Sequence, residues 1–124
     1  MTEAGWKTEL GADGEKKTAF YLEKRGYHII GRNYRCRYGE IDLIALDPTG
    51  EILCFVEVKT RSDCSRGQPC EAVTRSKLHR IQKAALDFLL HHPVHYRALR
   101  IDVAELILSG GRFYIRYREN AAGN

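Results

Sequence analysis

A chain of 124 residues with 44% hydrophobic and 29% charged content suits one globular domain that buries a real core. No apolar run nears the ~18 residues that a bilayer crossing takes, and the polar first ten residues lack the apolar stretch of an export signal, so a cytoplasmic location is expected. A net charge of +4 is too small to define a partner, and four cysteines without a C-x-x-C pair argue against a zinc ribbon or redox dithiol and read as free thiols, with a zinc site of Cys64, Cys70 and His91 or His92 as the minor alternative.

Residues 1–12 are weakly patterned and are expected to be a flexible segment ahead of a single domain over 13–118. Asp13 is the predicted N-cap of a helix running to Arg25, closed by Gly26. Tyr27 to Tyr34 reads as a short strand, continued by Tyr34-Arg35-Cys36-Arg37-Tyr38, where aromatic and basic residues interleave. Glu40–Leu46 and Glu51–Thr60 are rich in Ile, Leu, Val and Phe, and Asp47-Pro48-Thr49-Gly50 between them has turn chemistry, so a β-hairpin is predicted. Arg61 to Val73 reads as a long loop. A helix from about Thr74 to His91 follows, with Leu78, Ile81, Ala85, Phe88 and Leu89 as its apolar stripe and Pro93 as its stop. Alternation from Leu99 to Val103 gives another strand, and Ser109-Gly110-Gly111 turns into a last one over Arg112–Tyr117. The tail, 119–124, is expected to be flexible. The order α-β-β-β-α-β-β, with a helical crossover making two strands parallel, predicts an α/β fold: a mixed sheet flanked by helices.

Charge is unevenly distributed along this order. From Lys16 to Arg37 seven basic residues face one acid, Glu23, whereas Gly39–Glu57 holds five acids and no basic residue. From Lys59 to Lys83 seven basic residues again outnumber two acids. Basic flanks around an acidic segment suit a protein that holds a polyanion near a bound cation, although most such runs are solvated surface.

Strand periodicity puts Glu57 and Lys59 on one face of a hydrophobic strand. A hairpin whose paired positions sum to 97 sets Asp42 opposite Phe55, on the same face as Glu57 and at roughly 7 to 8 Å across the diagonal. Their carboxylates then converge on one ion, unless a one-residue bulge reverses the parity. Oxygen ligands select a hard cation, Mg²⁺ or Mn²⁺, and a lysine beside it would neutralise charge on a phosphate. Glu40 alternates away from Asp42 on a regular strand and is expected to be structural or to support the metal ligands from behind, Asp102 to be a salt-bridge partner, and His79, His91, His92 and His95 to be solvated. Glu57 and Lys59 as a mere edge-strand charge pair is the duller reading, but their neighbours are too apolar for an exposed edge.

Gly39-Glu40-Ile41-Asp42-Leu43-Ile44 followed by Phe55-Val56-Glu57-Val58-Lys59-Thr60-Arg61 resembles the PD-(D/E)XK nuclease superfamily, with Ile41 where its name has proline. Gly14-Glu15, Gly67-Gln68-Pro69 and the Lys77–Leu89 helix narrow the resemblance to the uncharacterised bacterial YraN family, which is similar to archaeal Holliday junction resolvases. The resemblance covers about residues 10–117 and implies a restriction-endonuclease-like sheet. It implies that Asp42, Glu57 and the Val58 carbonyl are ligands of Mg²⁺ or Mn²⁺, that Lys59 is the catalytic lysine, and that Glu15 is an acidic site residue from the first helix. Arg35, Arg37, Arg61, Arg66, Arg75 and Lys77 are the candidate phosphate contacts. The expected function is a metal-dependent endonuclease acting on branched or structured DNA, with a homodimer as the assembly that a two-fold junction would favour. The alternative is a catalytically silent DNA-binding or adaptor protein with the same fold.

Overall fold

A computed structural model describes the backbone of residues 3–62 and 73–121. Two helices and five strands follow in the order α1 (Glu3–Lys24), β1 (His28–Cys36), β2 (Gly39–Leu46), β3 (Ile52–Ser62), α2 (Arg75–His91), β4 (Ala98–Ser109) and β5 (Arg112–Arg118). They form one sheet in which β1, β2 and β3 are antiparallel neighbours, β4 runs parallel to β3, and β5 returns antiparallel beside β4. This mixed sheet flanked by two helices is the α/β architecture that the element order predicts.

Helix α1 begins at Glu3, ten residues upstream of the predicted cap. The helix formers Glu3, Ala4, Lys7, Glu9, Leu10 and Ala12 outweigh Gly5 and Gly11, since an interior glycine costs only about 1 kcal/mol. Asp13 therefore lies inside the helix, where it pairs with Lys17 one turn on at 3.3 Å. Helix α2 starts where the sequence places it and is capped by Thr74, whose Oγ1 accepts the Lys77 N–H at 3.1 Å.

The two faces of the sheet carry separate cores. Ala19 and Leu22 of α1 pack on Leu43, Cys54, Val56 and Ala104. On the opposite face Ile81, Ala84, Ala85 and Phe88 of α2 pack on Ile41, Ile44, Leu53, Phe55 and Ile101. β4 is buried from Ile101 to Leu106, because it lies inside the sheet with a core on each side. Burial pushes the Cys54 thiol up to about 12, which makes it an inert core residue. Cys64 and Cys70 lie outside the described residues.

The hairpin register differs from the predicted one by two. Pairs such as Leu43 with Val56 and Leu46 with Leu53 sum to 99. The Asp47 side chain sets the longer turn: its Oδ1 accepts from Thr49 Oγ1 at 2.7 Å and from the Ile52 N–H at 3.1 Å, while Gly50 turns through φ +76°. A shift of two preserves parity along the paired residues, and the ladder stops at Leu43–Val56, short of Asp42 and Glu57.

The end of the domain is also tied down further than the sequence suggests. Asp102, fully buried, accepts from Arg100 Nε at 2.9 Å, Tyr117 Oη at 2.6 Å and the Asn120 N–H at 2.9 Å. The Ala121 N–H bonds the Ile101 carbonyl at 2.6 Å. The tail expected from residue 119 is therefore anchored through Ala121, and residues 122–124 lie outside the described ones.

Candidate metal and phosphate site

The site forms where β2 and β3 part. Their ladder ends at Leu43–Val56, and beyond it the Val58 N–H donates to Asp42 Oδ2 at 2.7 Å instead of to a backbone carbonyl. The Asp42 carboxylate is thus wedged between two strands. On the other flank of β2, Asn33 of β1 adopts a left-handed φ of +51° and bonds the Glu15 side chain. The regular alternation of β2 breaks here: Ile41 and Ile44, three residues apart, both belong to the α2-side core.

This irregularity corrects the expected role of Glu40. Oxygens of Glu15, Glu40 and Asp42 all lie within 4.8 Å of one another, so Glu40 belongs to the acidic cluster. Gly39, at φ +138°, was the sequence signal for a strand that does not start regularly. Glu15 reaches the cluster because α1 approaches β3 closely at Gly14. A Cβ there would stand 2.5 Å from Thr60 Oγ1 and 3.7 Å from Val58 Cγ1.

Glu57 occupies the α2 side of the same cleft, a hollow of about 110 Å³ lined by Tyr38, Glu40, Asp42, Glu57, Lys77 and Arg80 among others. It is nearly buried, and its Oε1 is gripped by two ammonium groups, Lys77 at 3.2 Å and Lys59 at 3.5 Å. Lys77, expected as a phosphate contact, thus stands inside the carboxylate site, carried there by the first turn of α2. Burial, then the charge of Glu57, raises Asp42 from an ordinary 3.8 to about 7, with Glu15 and Glu40 adding to the shift. Burial likewise raises Glu15.

The donors fit a hard divalent cation. Three carboxylates brought this close repel one another, and an ion such as Mg²⁺ or Mn²⁺ relieves that repulsion with the oxygen ligands it prefers. The cluster that meets this test is Glu15, Glu40 and Asp42. Glu57 adjoins it but is held by lysines, and Val58 enters through its N–H.

The remaining basic candidates scatter. Arg35 pairs with Glu40 at 3.6 Å, at the edge of the cluster. Arg37 donates to Tyr38 Oη at 2.7 Å and lies over that ring. Arg61 pairs with Glu105 at 3.2 Å, Arg75 is exposed at the start of α2, and Arg66 lies outside the described residues. Three arginines of β5 that fall outside both basic segments of the sequence, Arg112, Arg116 and Arg118, are exposed on the sheet face that carries Lys59 and Arg61.

The five-stranded mixed sheet between two helices, with its acidic residues at a strand divergence, defines an α/β protein consistent with the restriction-endonuclease-like fold. Residues 14–106 match the model of the uncharacterised protein family UPF0102, and the chain belongs to that family. A UPF0102 protein of Beutenbergia cavernae is 48% identical over 101 residues, covering 82% of this chain and 84% of its own. One from Chlorobaculum tepidum is 47% identical over 98 residues, covering 79% and 74%. One from Bifidobacterium longum is 41% identical over 115 residues, covering 91% and 92%. Among the described residues no helix is long and apolar enough to cross a membrane.

Proposed function

We propose that the protein is a cytoplasmic, metal-dependent endonuclease that acts on branched or structured DNA, with two copies engaging one branched substrate. The observation that carries this reading is the convergence of Glu15, Glu40 and Asp42 within 4.8 Å, beside the Lys59–Glu57–Lys77 cluster. Mg²⁺ or Mn²⁺ held by these carboxylates would supply an activated water and neutralise charge on a phosphate. Asp42 is the central ligand, since the Val58 N–H fixes its carboxylate between two strands. Lys59 and Lys77 place positive charge beside the scissile phosphate, where negative charge grows in the transition state.

The test is cleavage of linear, flapped and four-way DNA with Mg²⁺ or Mn²⁺, comparing wild type with Asp42→Asn. Wild type should cut a branched substrate, and the variant should lose at least about a hundredfold in rate while still binding, since only the chemical step depends on the ion. If neither protein cuts any DNA or RNA with either metal, the silent binding module replaces the enzyme.

A further inference from the structure

Helix α2 packs mainly over β1, β2 and β4, and among the described residues one face of β5 is left exposed. Its alternate residues Arg112, Tyr114, Arg116 and Arg118 are all exposed there, while Phe113, Ile115 and Tyr117 turn to the other side, where Lys17 lies over Phe113 and Tyr21 stacks on Tyr117. Strand geometry spaces the exposed row at roughly 6.6 to 6.8 Å, about 20 Å in all. The row is anchored at one point. Glu105, only 6% exposed, stands opposite Arg116 across β4 and β5 and is bonded by Arg61 at 3.2 Å, Arg118 at 3.8 Å and Arg116 at 4.0 Å. One buried carboxylate thus fixes three guanidinium groups, and two of them remain more than half exposed. Lys59 pairs in register with Glu105, so the arginine row begins where the carboxylate cleft ends.

We infer that this arginine face is the track on which the sugar–phosphate backbone of a nucleic-acid duplex lies as it leaves the cleft. The inference rests on the proposed nuclease reading for its partner, and it adds the surface that holds the partner. Four arginines against one acid give the face a positive charge, and guanidinium groups match phosphate oxygens in pairs. A row of about 20 Å runs past about six phosphates of one strand, each strand carrying one charge per 3.4 Å of axis. A membrane surface fits poorly, because insertion takes a set of large apolar side chains and this row offers Tyr114 alone. The arginines meet phosphate and leave base edges unread, so the grip is blind to sequence.

Fluorescence anisotropy with a labelled duplex in EDTA tests the surface apart from the chemistry. Arg112→Gln/Arg116→Gln/Arg118→Gln should weaken binding at least tenfold at about 50 mM salt, equally for unrelated sequences, and lower the salt slope by about 0.9 for each phosphate no longer neutralised. Arg112→Glu alone, remote from Glu105, should weaken binding at least threefold and guards against a folding defect in the triple variant. Binding by both variants within twofold of wild type, at unchanged slope, overturns the inference, and so does wild type that binds anionic vesicles or polyglutamate but no duplex. Loss of cleavage in Asp42→Asn alongside unweakened triple-variant binding leaves the nuclease reading standing without this surface. Weakened triple-variant binding in a protein that never cleaves leaves the surface standing without the enzyme.

Discussion

Asp42 Oδ2 takes the place of a backbone carbonyl: it accepts the Val58 N–H at 2.7 Å just where the β2–β3 ladder stops. The carboxylate is thereby fixed in orientation and drawn out of water among like charges. Those two facts set what it does to stability, to metal affinity and to the strands around it.

The first consequence is a pH dependence. In the unfolded chain Asp42 loses its proton near 3.8, in the folded protein near 7, mainly through burial and then through Glu57. Between those values the folded state binds a proton that the unfolded state has released, so stability falls as pH rises through the window. The loss is on the order of a few kcal/mol. Urea unfolding across the window should show this slope in wild type and a flatter one in Asp42→Asn, whose amide oxygen still accepts the Val58 N–H. Added Mn²⁺ should flatten the wild-type slope as well, by stabilising the ionised carboxylate. Parallel curves for the two proteins would show that Asp42 titrates like an exposed acid.

Glu57 is held by two lysines at the same oxygen, so each partly covers for the other. Lys59→Met and Lys77→Met keep apolar stems and remove charge. Each alone should cost under about 1 kcal/mol, and the pair should cost at least about 0.5 kcal/mol more than their sum, because only the double variant leaves a buried carboxylate alone. Strict additivity in urea unfolding would mean that Glu57 has another partner.

Gly14 is a test of how closely α1 must approach β3. In an unconstrained helix Gly→Ala gains about 1 kcal/mol, but here the new Cβ meets Thr60 Oγ1 at 2.5 Å. Gly14→Ala should therefore show little gain, or a loss, in the wild-type background. In a Thr60→Ala background the full propensity gain should return. Equal effects of Gly14→Ala in the two backgrounds, measured by thermal unfolding, would rule out that clash.

The buried Asp102 network should be the costliest place to break. Asp102→Ala takes the buried counter-charge from the largely buried Arg100 guanidinium, leaving it Tyr27 Oη and the exposed Glu119, and frees Tyr117 Oη and the Asn120 N–H, for an expected loss of about 3 kcal/mol. Arg100→Met combined with Asp102→Leu should lose much less, since no charge is then left unpaired. A double variant as unstable as Asp102→Ala would place the cost in packing.

Sequence alone determined the element order, the parallel β3–β4 pairing, the core stripe of α2 and the placing of Glu57 and Lys59 side by side on one strand. These follow from periodicity and from turn residues such as Asp47 and Gly50. Tertiary structure alone decided that Glu40 joins Glu15 and Asp42, because a broken alternation at Gly39–Asp42 and the left-handed Asn33 re-aim side chains that a regular strand would separate. It also decided that Lys77 grips Glu57 and that Arg112, Arg116 and Arg118 stand exposed. Which face of a strand a helix covers depends on how far that helix reaches across the sheet, and alternation along one strand carries no information about that distance.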